Sequence, residues 1–208
     1  MDGVIMRSFF KLICALIILT AVFLLGALSA DQLNLEENLI RLHVVADSNS
    51  EHDQQIKLKV RDAITQKLND VMQQLPDAQT AKAYLQEHLP ELETIANDVL
   101  KAAGEKCRAI VTLAKESFPT RKYDTFSLPA GVYESLRVTI GSGEGENWWC
   151  VVFPRLCVST TSDGFENIAV GAGFSDSVTG ALSGEKEYQV RFWLMDCIGR
   201  IQSWLFRR

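Results

Sequence analysis

Through residues 39–63 the spacing of apolar side chains changes once, from every second position to every third or fourth. Ile40, Leu42, Val44 and Ala46 alternate with Arg41, His43 and Val45, the period of a half-buried strand. Asp47, Ser48, Asn49 and Ser50 follow, small polar residues whose side chains bond nearby backbone and favour turns and helix caps. Ser48 stands three before Glu51 and Ser50 three before Asp53, so either serine can cap a helix with a carboxylate answering in its first turn. Ile56, Val60, Ile64, Leu68, Val71, Met72 and Leu75 then share one helical stripe, which Pro76 ends. The stretch predicts a strand, a polar elbow and a long amphipathic helix.

Further along, the pattern predicts a second helix over 77–89 and a third opening at Pro90, with Leu92, Ile95, Ala96, Val99 and Leu100 inward and Gly104 as its stop. Residues 107–114 read as a buried strand, and 118–131, with two prolines and a glycine, as a loop or irregular edge. Val132, Glu134, Leu136, Val138 and Ile140 alternate along a strand in which Glu134 is the one misfit. Six flexible residues, 141–146, lead into 147–153, so the two strands form a hairpin. Residues 158–187, rich in Ser, Thr and Gly, read as a flexible surface excursion. Alternation at Tyr188, Val190, Phe192 and Leu194 predicts a last strand, and Leu194, Ile198, Ile201 and Leu205 a last helix. The sum is an α+β domain: a mostly antiparallel sheet of about five strands with three or four helices packed on one face.

The first thirty residues stand apart. Arg7 and Lys11 precede an uncharged apolar run over 12–28, and Ala27-Leu28-Ser29 fits the small residues before a cleavage site. Residues 1–30 read as a secretory signal peptide, or as an uncleaved anchor, since the run touches the lower limit for crossing a bilayer. Residues 31–38 read as a loose linker and 31–208 as a single domain working outside the cytoplasm. A chain of 208 residues with 47% hydrophobic content can bury one sizeable core. Its net charge of −5 disfavours nucleic acid, which requires a concentrated basic face.

Export changes the meaning of the cysteines. Cys150 and Cys157 in CVVFPRLC are either a crosslinked pair or two buried thiols. Their odd separation puts them on opposite faces of a continuous strand, so a crosslink requires Pro154 to turn the chain. The Gly141-x-Gly143-x-Gly145 run precedes a strand instead of a helix and lacks a P-loop lysine, which favours a hairpin loop over a phosphate cradle. A thiol hydrolase built on Cys150 and His43 would require the imidazole beside the sulfur. His52 and His88 lack metal-ligand spacing, and no metal or cofactor is expected. Trp148 and Trp149 face opposite ways in a strand, so either both are buried between layers or one lies at the surface and can serve as a partner anchor. Asp47, Ser48 and Asn49 are caps that can also touch a partner.

Two strings carry a resemblance. IRLHVVADSNSEHDQQIKLKVRDAI resembles the opening signature of the stage II sporulation protein R family, with D-S-N-S where that family more often has N-S-D-S. FPTRKYDTFSLPAGVYESLRVTIGSGEGENWWCVVFPRLC is similar to its second signature, with Arg155 in place of a proline. The resemblance implies an exported intercellular signal of endospore formation, acting in the space between forespore and mother cell. Its implied partner is a membrane-embedded aspartic protease, which it activates so that the pro-sequence of sporulation sigma factor E is removed. On this reading the chain is not an enzyme, and Arg41, His43, Asp47, Ser48, Asn49, Trp148 and Trp149 are candidates for partner binding. The alternatives are a secreted or cell-wall-associated hydrolase using Cys150 or His43, and a structural protein tethered by residues 12–28.

Overall fold

The six residues Ile40–Val45 (β1) form the middle of a four-stranded sheet and are buried throughout. The computed structural model describes residues 2–154 and 162–206. A 37-residue helix, Asp2–Asn38 (α1), precedes β1, and Glu51–Met72 (α2) and Ala78–Ala102 (α3) follow it. Next come Ala109–Phe118 (β2), a small hairpin of Arg121–Lys122 (β3) and Ser127–Leu128 (β4), then Gly131–Ile140 (β5) and Asn147–Phe153 (β6). Helices Ser162–Gly171 (α4), Asp176–Ser183 (α5) and Gln189–Phe206 (α6) close the chain. The sheet order is β2-β5-β1-β6, with β1 parallel to β5 and the other pairings antiparallel.

The fold is α+β, but the sheet is mixed and covered on both faces. Ile40, Leu42 and Val44 join Leu136, Val138 and Ile140 under Ile56, Val60, Ile64 and Leu68 of α2 and Leu85, Leu92 and Ala96 of α3. On the other face, Phe118, Tyr133 and Val151 pack with Leu35 and Leu39, Phe165 of α4, Val178 and Leu182 of α5, and Met195 of α6. The expectation of helices on one face fails because the second apolar layer comes from segments whose pattern is weak or doubly readable.

The expected hairpin of 132–140 with 147–153 does not form: β1 lies between β5 and β6, and loop 141–146 crosses the end of β1 to reach its other edge. Four segments also differ from the sequence reading. Residues 31–38 continue α1 as helix, with Gln32 and Leu35 fully buried. Helices 77–89 and 90–102 are one helix: Pro90 and Gln86, whose carbonyl loses its helical donor to the proline ring, both lie on the exposed face. Within 158–187, residues 162–171 and 176–183 are helical, and Phe165, Ala169, Phe174, Val178 and Leu182 enter the second core. Ser175 caps α5, and Gly173 and Gly184 supply left-handed turns at φ 85° and 79°. Tyr188 ends a 3-10 turn and residues 189–194 enter α6 instead of a strand, because Phe192 and Met195 also satisfy a helical period that Ile198 and Gly199 continue inward.

Asp77 caps α3 by accepting from the Thr80 amide at 2.7 Å, and Ser50 caps α2 by accepting from the Asp53 amide at 3.1 Å. The misfit Glu134 lies 2.7 Å from Lys82 on α3. At the closest approach of α6 to the sheet, a Cβ on Gly199 would lie 1.6 Å from the Ala130 carbonyl oxygen. Gly199→Ala is therefore expected to lower stability by about 1–3 kcal/mol, read as a reduced urea midpoint. Gly171→Ala, where a Cβ meets nothing within 4 Å, serves as the neutral control.

Candidate functional site

Alternation along β1 sends Arg41 and His43 to the second face of the sheet, where each meets aromatic rings. The Arg41 guanidinium lies 4.2 Å from the centre of the Phe118 ring and 5.1 Å from that of Tyr133. Its Nη2 donates to the Tyr123 hydroxyl at 2.7 Å, while Nε and Nη1 are buried without a hydrogen-bond partner. Ring faces replace a carboxylate as the counter-field, an interaction worth about 2 kcal/mol when desolvated. Arg41 is fully buried and presents no surface to another molecule. It pins the β3–β4 hairpin through Tyr123.

His43 is held at both ring nitrogens: Nδ1 lies 3.1 Å from Glu116 Oε2 and Nε2 lies 2.7 Å from Asn147 Oδ1. The other Glu116 oxygen accepts from Arg137 Nη1 at 2.6 Å. Burial pushes the Glu116 carboxyl up, but hydrogen bonds led by the one from His43, with Arg137 adding its own, bring it down to about 2. Arg121 lies 3.6 Å from the centre of the Trp149 ring, which itself leans on His43 at 5.5 Å.

The elbow is the second half of the site. Asp47 Oδ1 accepts from the Ser142 amide at 2.6 Å, and Ser142 Oγ donates to the Asp47 carbonyl at 2.9 Å. Asn49 Oδ1 accepts from the Glu146 amide at 2.7 Å, and the Ala46 carbonyl accepts from the Gly145 amide at 2.9 Å. Ser48 donates to Asp53, whose carboxyl is held low by hydrogen bonds from Ser48 and then Ser50. Gln54 Nε2 donates to the Ser48 carbonyl at 2.9 Å, and Lys57 Nζ to the Glu146 carbonyl at 3.0 Å. Burial lowers the Lys57 ammonium. Gly141, at φ 56°, has no room for a Cβ, which would lie 2.2 Å from Asp47 Oδ1. The glycines thus serve close approach of loop 141–146 to the elbow.

Trp148 and Trp149 face opposite sides, as alternation predicts: Trp148 is partly exposed beneath Arg61 of α2, 4.4 Å from its ring centre, and Trp149 lies in the second core. Cys150 pairs with Leu42 in the β1–β6 register and belongs to the first core, whereas His43 belongs to the opposite face. The sheet therefore separates the two residues of the thiol-hydrolase alternative. Cys157 lies outside the described residues, and with it the expected Cys150–Cys157 pairing. Among the described residues no group of three or more His, Cys, Asp or Glu can hold a metal ion.

Sequence reasoning did not find Glu116, Arg121, Tyr123 or Arg137. Glu116 lies in a strand read as ending at 114, and the only available signal was the continuing alternation to Phe118. The β2–β5 register places Glu116 opposite Tyr133 and within reach of Arg137, and the pairing of β5 with the distant β1 brings both to His43.

The class these features define is an α+β protein led by an apolar helix, with its distinctive polar residues interlocked across a mixed sheet. The family described as stage II sporulation protein R matches residues 36–163, which include β1, the elbow and the glycine loop. The chain is 36% identical over 130 residues to stage II sporulation protein R of Bacillus subtilis (strain 168), a match covering 62% of this chain and 58% of that protein. It belongs to the stage II sporulation protein R family, and its role is in sporulation. No solved structure matches the chain.

Glu116→Gln tests the buried network. The folded carboxyl titrates near 2 against an ordinary 4.5, so its contribution is fully present above about pH 4.5 and lost as pH falls through 2. The variant is expected to lose about 2–3 kcal/mol at neutral pH and to show a flatter acid limb in denaturation.

Proposed function

We propose that this protein is an exported intercellular signal that activates a membrane-embedded aspartic protease, which then processes the pro-sigma factor E of the mother cell. Membership of the stage II sporulation protein R family is the observation that carries the reading. The apolar run in α1 supports it, since Phe9–Asn38 is long and apolar enough to cross a membrane and suits a signal peptide or an anchor. On this reading the protein acts in the space between the two cells and performs no chemistry. It binds the active form of the protease more tightly than the idle form, because a ligand shifts an equilibrium only by differential affinity.

The geometry supports a binding role. His43 is held at both nitrogens and Cys150 lies across the sheet from it, so neither is poised for nucleophilic attack. The docking face we favour runs over loop 141–146, the elbow at Asn49 and the edge of Trp148. These positions are partly or fully exposed, and their backbone is fixed by the interlock. Preorganisation of that kind lowers the entropy cost of association. His43 serves this face as a positioning residue through Asn147, where loop 141–146 enters β6, whereas Arg41 holds Tyr123 and the β3–β4 hairpin.

Mature protein added outside cells that carry the membrane protease and its pro-sigma substrate should start processing. Trp148→Ala should reduce that response at a temperature where its circular dichroism shows the variant fully folded. Processing indifferent to the added protein would overturn the activator reading. We also propose a Cys150–Cys157 crosslink in the exported form. Under denaturing conditions without reductant, both thiols should resist alkylation until reductant is added, and ready labelling would contradict the pairing.

A further inference from the structure

Helix α6 turns a row of large apolar side chains toward solvent. Val190, Trp193, Ile201, Trp204 and Leu205 are each more than half exposed, and with Cys197 their spacing of three and four places them along one stripe. The opposite side of the helix, at Phe192, Met195 and Ile198, is the one spent on the second core. Trp204 borders Ser117–Thr120 along its inner edge, and more than half of each of the five side chains faces solvent.

Three observations say what covers the outer stripe. The first is charge: of the four arginines in residues 189–208, Arg191 and Arg200 are answered by Asp31 and Asp196, which leaves Arg207 and Arg208 as a local basic excess in a chain whose net charge is −5. Asp196 is turned inward, accepting from the Ala130 amide and from Arg200 Nε, each at 2.8 Å, and from the Thr120 hydroxyl. The second is residue type: two tryptophans among aliphatic side chains, flanked by arginines, suit the boundary between acyl chains and headgroups. The third is position: α6 is fastened to α1 by the Arg191–Asp31 ion pair, and Gly199 passes under Gln32. The exposed apolar run of α1 ends at Ala27, four residues before Asp31, about 6 Å along the helix axis. A headgroup layer is about 5–8 Å deep, so α6 crosses α1 at that level when α1 is in a bilayer.

We infer that α6 is an interfacial helix whose Trp193–Trp204 stripe rests on an anionic phospholipid surface and holds the sheet against the membrane. The helix lies beyond the residues matched by the family, and the inference stands independently of the protease reading. A molecule lying on the membrane presents its remaining faces at a fixed height to anything embedded there.

The test uses the full chain reconstituted into vesicles of phosphatidylcholine and phosphatidylglycerol, with brominated acyl chains as a quencher of tryptophan emission. The chain has four tryptophans, and Trp148 and Trp149 serve as the internal reference. Strong quenching is expected, most of it lost in Trp193→Phe/Trp204→Phe, whose phenylalanines keep the stripe apolar. Ile201→Glu/Leu205→Glu, at exposed positions, should keep the denaturation midpoint and likewise lose most of the quenching. Quenching unchanged by removing the two tryptophans would overturn the inference. So would unquenched Trp193 and Trp204 together with copy-to-copy crosslinking through Ile201→Cys, which would assign the stripe to a second copy.

Discussion

Everything in the folded body is referred to one short strand. β1 pairs on both sides, parallel to β5 and antiparallel to β6, and is buried on both faces. A strand so enclosed requires its neighbours to answer each polar side chain, by a hydrogen bond or by a ring face. Its inward row is aliphatic and meets α2 and α3. The other row contains an arginine and a histidine, and the second face is built to receive them. Phe118 and Tyr133 enclose the guanidinium, while Glu116 and Asn147 hold the imidazole. Removing either polar side chain would leave partners unsatisfied in a low-dielectric interior, which is why the cluster behaves as a unit.

The same economy explains the two signatures. The D-S-N-S elbow and the glycine loop are about a hundred residues apart in sequence, yet each supplies the other's hydrogen-bond partners. Asp53, Gln54 and Lys57 extend the contact into the first turns of α2. Arg61 then lays its guanidinium over Trp148. Residues that resemble a catalytic vocabulary of carboxylates, lysine, histidine and serine are engaged in holding two segments together. Their donors and acceptors are occupied within the fold, and the surface they frame is fixed in shape.

Much of the first layer was legible because its patterns are local and unambiguous. β1, the capped α2 and the strands around loop 141–146 each declare themselves through alternation, a helical stripe or a turn. The opposed faces of Trp148 and Trp149 follow from the pleat. The second layer was not legible, for three physical reasons. Residues 31–38 are polar enough to read as linker, yet Gln32 is buried because its amide donates to the Ala130 carbonyl at 3.0 Å. Helices α4 and α5 are short and rich in Ser and Gly, so tertiary contact at Phe165 and Val178 decides them more than propensity does. Alternation at 188–194 is equally consistent with the start of a helix, and only the enclosure of Met195 chooses between them. At the site, His43 and the elbow were visible in one stretch, whereas Glu116 and Arg137 depend on register between strands far apart in the chain.

Helix α1 runs without interruption from its lipid-soluble stretch to Asn38, one residue short of β1. While the first thirty residues stay attached, there is no swivel between span and body. Each residue inserted between them would turn the body by about 100° around the span's axis and raise it by about 1.5 Å. With the span in a bilayer the molecule would have a compass bearing as well as a height, and cutting the rod near Ala30 would free the bearing.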